Sequence, residues 1–362
     1  MSQKRVIKTE LEGREDTFKV LAVAEALQMP CLLVGVPGTG KTKTLMDYAK
    51  AYYQDDHIKT IDNTFILETD EGTKSAEVKG RINVGELVKN NQYVVNSPIV
   101  KAEYVLINEI DKASAGLRNS LLGVMNEKYL FNGDEKIPCN WKVFCATANE
   151  IPDEEKDSPF WDRFVFKAKI GRINKTQIIS YFNKQAGTKK SKDINIEIPD
   201  QQEITNIIKN IDMDKLQIFI DICYSKLSDR TLSYLPKLIA AISVVYDKGL
   251  TQSMIKTCEL LCGYETAKIL AKKLEPVEVS NLRSKIELLG SYREQEQISN
   301  EGKAIKAELE RMKNVPGLLT KSDIEDLVNE IKTVISQNPV ILKAKEQFLQ
   351  SKESAVTQDS NF

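Results

Sequence analysis

Histidine is nearly absent: His57 stands alone among 362 residues. A single imidazole cannot build a histidine-rich metal site, and its context, DDHIK, reads as solvated surface, so a Ser-His-Asp hydrolase is excluded as well. Long apolar runs are missing too, and none approaches the roughly 18 uncharged residues of a membrane-spanning helix. The opening, MSQKRVIKTELEG, lacks the apolar core of a secretory signal, so the expectation is a soluble cytoplasmic protein that engages no membrane. Charge of either sign is balanced, with 51 Lys plus Arg against 52 Asp plus Glu and a net charge of -1. Without a global basic field, nucleic acid is not the expected partner. Cysteine is scattered. Of the six, only Cys258 and Cys262 fall one helical turn apart, with no second pair to complete a zinc set, so all six read as reduced core thiols.

What is present points to a globular chain of two or three domains, with 41% apolar and 28% charged residues. Residues 18–29 carry apolar side chains at helical spacing and stop at a proline. A short apolar strand is expected at 31–34, then the glycine loop GVPGTGKT, then a second helical pattern, TLMDYAKAYY. Further strands are expected at 64–67, 104–107, 143–147 and 164–170, alternating with helices as in a parallel sheet covered on both faces. Beyond residue 170 helical patterns dominate, apart from an exposed loop at 186–193 and the alternating INIEI at 194–198. Pro276 marks a border to a Lys- and Glu-rich tail of long helices, a solvated hairpin or a coiled coil, whose last residues, 351–362, look frayed.

Gly35, Gly40, Lys41 and Thr42 satisfy the pattern G-x-x-x-x-G-K-[ST], with Pro37, Gly38 and Thr39 inside the loop. Glycines there let backbone amides turn toward phosphate oxygens, Lys41 brings a point charge, and Thr42 offers a hydroxyl to magnesium. The start of the following helix adds partial positive charge. The expected ligands are therefore ATP and Mg2+. A glycine turn made for packing alone is the rival reading, and the strand and helix on either side argue against it. YVLINEID supplies the second half of such a site, an apolar strand ending in acidic residues. The position where a metal-binding Asp is expected holds Asn108, however, and Glu109 follows it, placed to polarise an attacking water. Asp111 already belongs to the next helical turn and is not read as a replacement. A unit charge near a divalent ion is worth roughly 3 to 7 kcal/mol at an effective dielectric near 20, before screening by the triphosphate and water. ATP binding should therefore survive with Asn108, which still offers an oxygen to a metal-bound water, while metal affinity or turnover falls.

The stretches GREDTFKVLAVAEALQMPCLLVGVPGTGKT, VKGRINVGELVKNNQY, LINEIDKASAGLRNSLLGVMNEKYLFNG and ATANEIP together resemble a MoxR-type AAA+ ATPase, nearest in pattern to the RavA branch. The resemblance spans about residues 10–275. It implies an α/β class protein: a P-loop αβα parallel-sheet domain (1–170), an all-α lid (171–275) and, beyond the resemblance, a helical tail (276–362). It also implies a ring of subunits, a hexamer, with ATP held between neighbours. Asn149 falls on the sensor 1 position, and Arg163 on that of an arginine finger reaching the next subunit. The rival for Arg163 is an intrachain salt bridge with Asp162. Arg230 falls on sensor 2, at a helix capped by Ser228 or Asp229, from which it would bridge to the phosphates. Residues 72–98, with Gly80 and Arg81, match an insertion, and NEKYLFNGDEKIPC, centred on Gly133, matches a hairpin facing the ring axis, where Tyr129 and Phe131 could meet a client. By the same resemblance the partner is a protein with a von Willebrand factor A domain, and the role is chaperone-like remodelling. Asn108 motivates an alternative, a nucleotide-gated assembly protein with slow or absent hydrolysis. A nucleic-acid remodeller akin to McrB-like relatives is disfavoured by the balanced charge.

Overall fold

Five short strands, three of them almost wholly buried, lie side by side in parallel. In a computed structural model that describes residues 3–55, 57, 63–82, 95–132, 135–152, 159–186, 193–314 and 321–343, an N-terminal strand β1 (Gln3–Ile7) precedes β2 (Cys31–Val34) and β3 (Thr64–Glu68). A two-residue pair, β4 (Arg81–Ile82) and β5 (Val95–Asn96), leads to β6 (Tyr104–Asn108). The hairpin β7 (Tyr129–Asn132) and β8 (Glu135–Pro138) is followed by β9 (Val143–Ala148), β10 (Phe166–Lys169) and β11 (Ile194–Ile198). The central sheet has the order β10-β2-β9-β6-β3, every pair parallel. All five residues of β6 and all six of β9 are buried, which requires layers on both faces. The fold is thus the expected α/β parallel sheet with helices, followed by a helical region. The tip of the hairpin, including Gly133, and residues 83–94 of the 72–98 insertion lie outside the described residues.

Two features differ from the sequence reading. The expected strand at 164–170 begins only at Phe166, because the short helix Pro159–Asp162 and the turn after it come first, with the rings of Phe160, Trp161 and Phe164 packed together. Arg163 stands in that turn. The N-terminal residues, in which no strand was expected, pair antiparallel with β11 from Gln3 opposite Ile198 to Ile7 opposite Ile194. A five-residue strand with only two buried side chains carries too little apolar signal to announce itself.

By compactness the chain divides into Met1–Leu270 and Ala271–Phe362. The first unit holds the sheet and the helices Gln201–Ile208, Met213–Cys223, Asp229–Val245 and Leu250–Cys262. In the second, the helices Val277–Leu289, Gln295–Lys313 and Lys321–Gln337 share an apolar core that includes Leu282, Ile286, Leu309 and Leu327. The expected hairpin or coiled coil is therefore a three-helix arrangement. Asn338 locks it, donating from Nδ2 to the carbonyls of Leu289 (2.9 Å) and Tyr292 (3.1 Å) at the end of the first helix. Among the described residues no helix is long and apolar enough to cross a membrane.

Candidate functional site

The parallel register delivers four strand ends to one edge of the sheet. Val34 lies opposite Ala148, so Gly35 and Asn149 emerge together, and Glu68 lies opposite Asn108 on the neighbouring pair. From that edge the loop 35–40 turns into the helix Lys41–Tyr53. Gly38 and Gly40 have φ of +79° and +82°, a region that favours glycine. A Cβ on Gly35 would stand 2.2 Å from the Ile170 carbonyl oxygen, so only glycine lets these backbones approach. Around Gly38 no heavy atom lies within 4 Å of the same position, which leaves the outer face of the loop open. Pro37 is exposed on that turn, and the Thr39 hydroxyl ties it by donating to the Val36 carbonyl at 2.9 Å.

Lys41 is 8% exposed and curls into the loop. Its ammonium donates to the carbonyls of Gly35 (2.6 Å) and Val36 (3.3 Å) and to Asn149 Oδ1 (3.1 Å). Burial pulls its pKa below the usual lysine value, opposed by the carboxylates of Asp111 and Glu109. A buried cation whose partners are mostly carbonyls retains unspent charge for an anion. Arg14, 6% exposed, braces the loop from behind by donating to the carbonyls of Thr39 (2.7 Å) and Gly171 (3.1 Å).

Asn108 is 1% exposed, and both ends of its amide are in use. Oδ1 accepts from the hydroxyls of Thr42 (3.1 Å) and Thr147 (3.2 Å), and Nδ2 donates to Glu68 Oε1 at 2.6 Å. The carboxylate absent at residue 108 therefore stands one strand over, at the end of β3. Because a carboxylate only accepts, Glu68 fixes which way the amide faces and aims Oδ1 at the Thr42 hydroxyl. Glu109 adopts a left-handed backbone with φ +55°, unusual for a residue with a Cβ. Its N–H donates to Thr147 Oγ1 (2.9 Å), and its half-exposed carboxylate pairs with Lys112 at 2.7 Å. Asp111 accepts from the Asn149 N–H (3.1 Å) and keeps a second, buried oxygen without a hydrogen-bond partner. It thus positions Asn149.

Arg163 lies at the opposite edge. It precedes by three residues Phe166, which pairs with Cys31 at the start of β2, whereas the glycine loop follows the end of β2. At about 3.3 Å per residue, the strand alone separates them by roughly 13 Å. Arg163 Nη1 donates to the Pro159 carbonyl (2.7 Å), and its buried Nε has no hydrogen-bond partner. Burial and then the charge of Arg230 lower its pKa. Asp162, the rival partner for Arg163, sits 3.6 Å from Arg230 instead, and Arg230 also donates to Asn126 Oδ1. Ser228 caps the Arg230 helix by accepting from the Thr231 N–H (3.3 Å). The structure therefore gathers Lys41, Thr42, Asn108, Glu109 and Asn149 at one edge and places Arg163 with Arg230 at the other.

A family profile described as the MoxR domain in the MoxR-vWA-beta-propeller ternary systems matches residues 1–212, more than half of the chain. The chain belongs to that family. This MoxR-type AAA+ chain is similar to two uncharacterized proteins of Methanocaldococcus jannaschii. One is 28% identical over 211 residues, covering 57% of this chain and 53% of that protein, and the other 30% identical over 167 residues, covering 45% and 41%. The chain thus spans about half the length of the curated relatives it matches. A structural protein of Acidianus two-tailed virus is 27% identical over 161 residues, covering 44% of this chain and 25% of that protein. A solved structure of a candidate ATPase from Cytophaga hutchinsonii shares the fold, with a TM-score of 0.50 and 17% identity over 69% of this chain and 82% of that one.

The open glycine cradle, the buried Lys41 and the Thr42–Asn108 hydroxyl–amide pair fit a magnesium nucleotide. Gly35 to Thr42 would hold the triphosphate, and Thr42 and Asn108 the ion, which when bound supplies positive charge to the phosphate oxygens. Sequence reasoning missed Arg14, Glu68, Thr147 and the positioning role of Asp111. The GRED stretch quoted in the resemblance contains Arg14, but no local pattern gives it a partner. Glu68 yields a test. Outer partners of metal ligands are worth about 10- to 100-fold in affinity, so Glu68→Ala is expected to weaken Mn2+ binding to the nucleotide-loaded protein about tenfold. Glu68→Gln, which can still accept from Asn108, should retain most of it. Electron paramagnetic resonance of free Mn2+ reads this directly, and equal affinity in wild type and Glu68→Ala would discount the role.

Proposed function

We propose that this chain is a magnesium-dependent ATPase of the MoxR type, in which an α/β body (1–170) and a helical lid (171–275) act in a ring, a hexamer, that remodels a protein partner in a chaperone-like way. One observation carries the reading. The glycine loop with Lys41 and the arginine pair stand at opposite edges of a single sheet, which supports a site that a neighbouring copy would complete. Arg163, half-buried and with a buried Nε that has no hydrogen-bond partner, is suited to meet negative charge arriving from outside its own chain. Glu109 would orient water, Asn149 and Lys41 would hold the terminal phosphate, and Arg163 would stabilise charge developing during transfer. Arg230, beside Arg163, would act on the same neighbouring nucleotide.

The family description names a von Willebrand factor A protein and a β-propeller, and these are the proposed partners. Tyr129 and Phe131, packed edge to face at 4.8 Å with Phe131 half exposed, form an aromatic patch suited to a client. Likeness to the RavA branch and residence in the cytoplasm belong to the same reading.

Asn108 favours a second reading, a nucleotide-gated assembly protein with little hydrolysis. Asp at 108 would face the Glu68 carboxylate across 2.6 Å, so the informative variant pairs Asn108→Asp with Glu68→Gln. Turnover within about threefold of wild type supports the motor, since Glu68 already supplies the local charge. A rise of tenfold or more from a near-zero baseline supports the gated assembly.

A further inference from the structure

The helix Met213–Cys223 ends against the helix Leu250–Cys262, and the contact joins two cysteines one turn apart to a third from 35 residues earlier. Cys258 and Cys262 occupy successive turns of the second helix, and Cys223 arrives from the first. The three sulfurs all lie within 4.8 Å of one another, with Cys223 and Cys258 3.5 Å apart. Thiolates around a tetrahedral zinc, with bonds of about 2.3 Å, are separated by about 3.8 Å, so small rotations of these side chains would admit the ion. Cys223 and Cys258 are fully buried, while Cys262 is partly exposed and lines a cleft of about 1030 Å³ together with Lys226, Ser228 and Arg163.

We propose that Cys223, Cys258 and Cys262 form a three-thiolate site for Zn2+, closed on two sides by the helical region and open to the cleft at a fourth position that water can fill. Binding would break three S–H bonds, form three Zn–S bonds and release three protons to solvent, with no change of oxidation state. Three thiolates and one Zn2+ leave a charge of -1, and Lys226, whose ammonium donates to Thr266 Oγ1 at 2.6 Å, supplies a nearby positive charge. Free cysteines packed for their apolar character are the ordinary alternative. That alternative does not call for three sulfurs converging within 4.8 Å of one another beside a cleft that one of them lines. The consequence for the proposed motor is mechanical: the ion would clamp the chain five residues before Ser228, the cap of the helix that carries Arg230.

The test uses the full chain, reduced and freed of metal with a chelator under anaerobic conditions, then titrated with Co2+. The expected result is a thiolate-to-cobalt charge-transfer band saturating at one ion per chain, bleached by one equivalent of Zn2+, and unchanged in Cys139→Ser. Cys262→Ser, at a partly exposed helix end where folding is least at risk, should lose on the order of 100-fold or more in affinity, since outer partners alone are worth 10- to 100-fold. Zinc should also raise the thermal midpoint of wild type and leave that of Cys262→Ser unmoved. Absence of the band in folded wild type, or an equal band in Cys262→Ser, overturns the site. Uptake of Cu+ at one per chain by protein that leaves Zn2+ free in solution overturns the assignment to zinc. These readouts need no nucleotide, so their failure leaves the ATPase reading standing.

Discussion

Lys41→Ala is expected to abolish ATP binding at any practical concentration. Among the described residues the ammonium is the only side-chain charge inside the loop, 2.6 Å from the Gly35 carbonyl and bridged to Asn149. Hydrogen bonds to charged groups contribute about 1.5 to 3 kcal/mol each, so losing two such contacts to phosphate weakens affinity by at least about 100-fold. Removal also leaves the carbonyls of Gly35 and Val36 facing the arriving triphosphate, which adds repulsion. Calorimetric titration of wild type and variant with ATP checks this, with circular dichroism confirming that the sheet has formed. Equal affinity would mean that the nucleotide does not bind at this loop.

Arg163→Ala should leave ATP affinity of the isolated chain within about twofold, because a strand length separates the guanidinium from its own glycine loop. Turnover of the assembled protein should nevertheless fall about a thousandfold, the scale of an arginine that meets transition-state charge. Arg163→Lys should not rescue it, since an ammonium lacks the planar fork. The folding cost is expected to be small, because among the described residues the guanidinium donates to the Pro159 carbonyl alone. Steady-state turnover and ATP titration, measured on the same preparations, separate the two effects. A parallel loss of affinity in the isolated chain would place Arg163 at its own site.

How much of this was legible in the sequence depended on how local each feature is. The glycine loop was readable because strand, turn and helix are contiguous and each glycine answers a local demand, a positive φ at Gly38 and Gly40 and a close approach at Gly35. Asn108 and Asn149 were readable as ends of apolar strands, and the parallel sheet followed from the alternation of strands with helices. The meaning of Asn108 was not readable, because the missing carboxylate is replaced by Glu68, 40 residues away and adjacent only through the β3–β6 register. The nearness of Arg163 to Arg230 was hidden for the same reason. Cys223 shows the limit most plainly: the Cys258 and Cys262 spacing was visible, but the third sulfur arrives from a helix 35 residues earlier. Local chemistry survives in one dimension, whereas chemistry shared across strands and helices requires the register.

The most direct measurement of the central claim mixes two inactive proteins. Glu109→Gln lacks the water-orienting carboxylate but keeps Arg163, and Arg163→Ala lacks the arginine but keeps an intact nucleotide edge. If a neighbour completes each site, neither protein alone turns over ATP, and an equimolar mixture recovers about a quarter of wild-type turnover by random assembly, since about one interface in four unites the two intact halves. A mixture as inactive as its components would contradict the account.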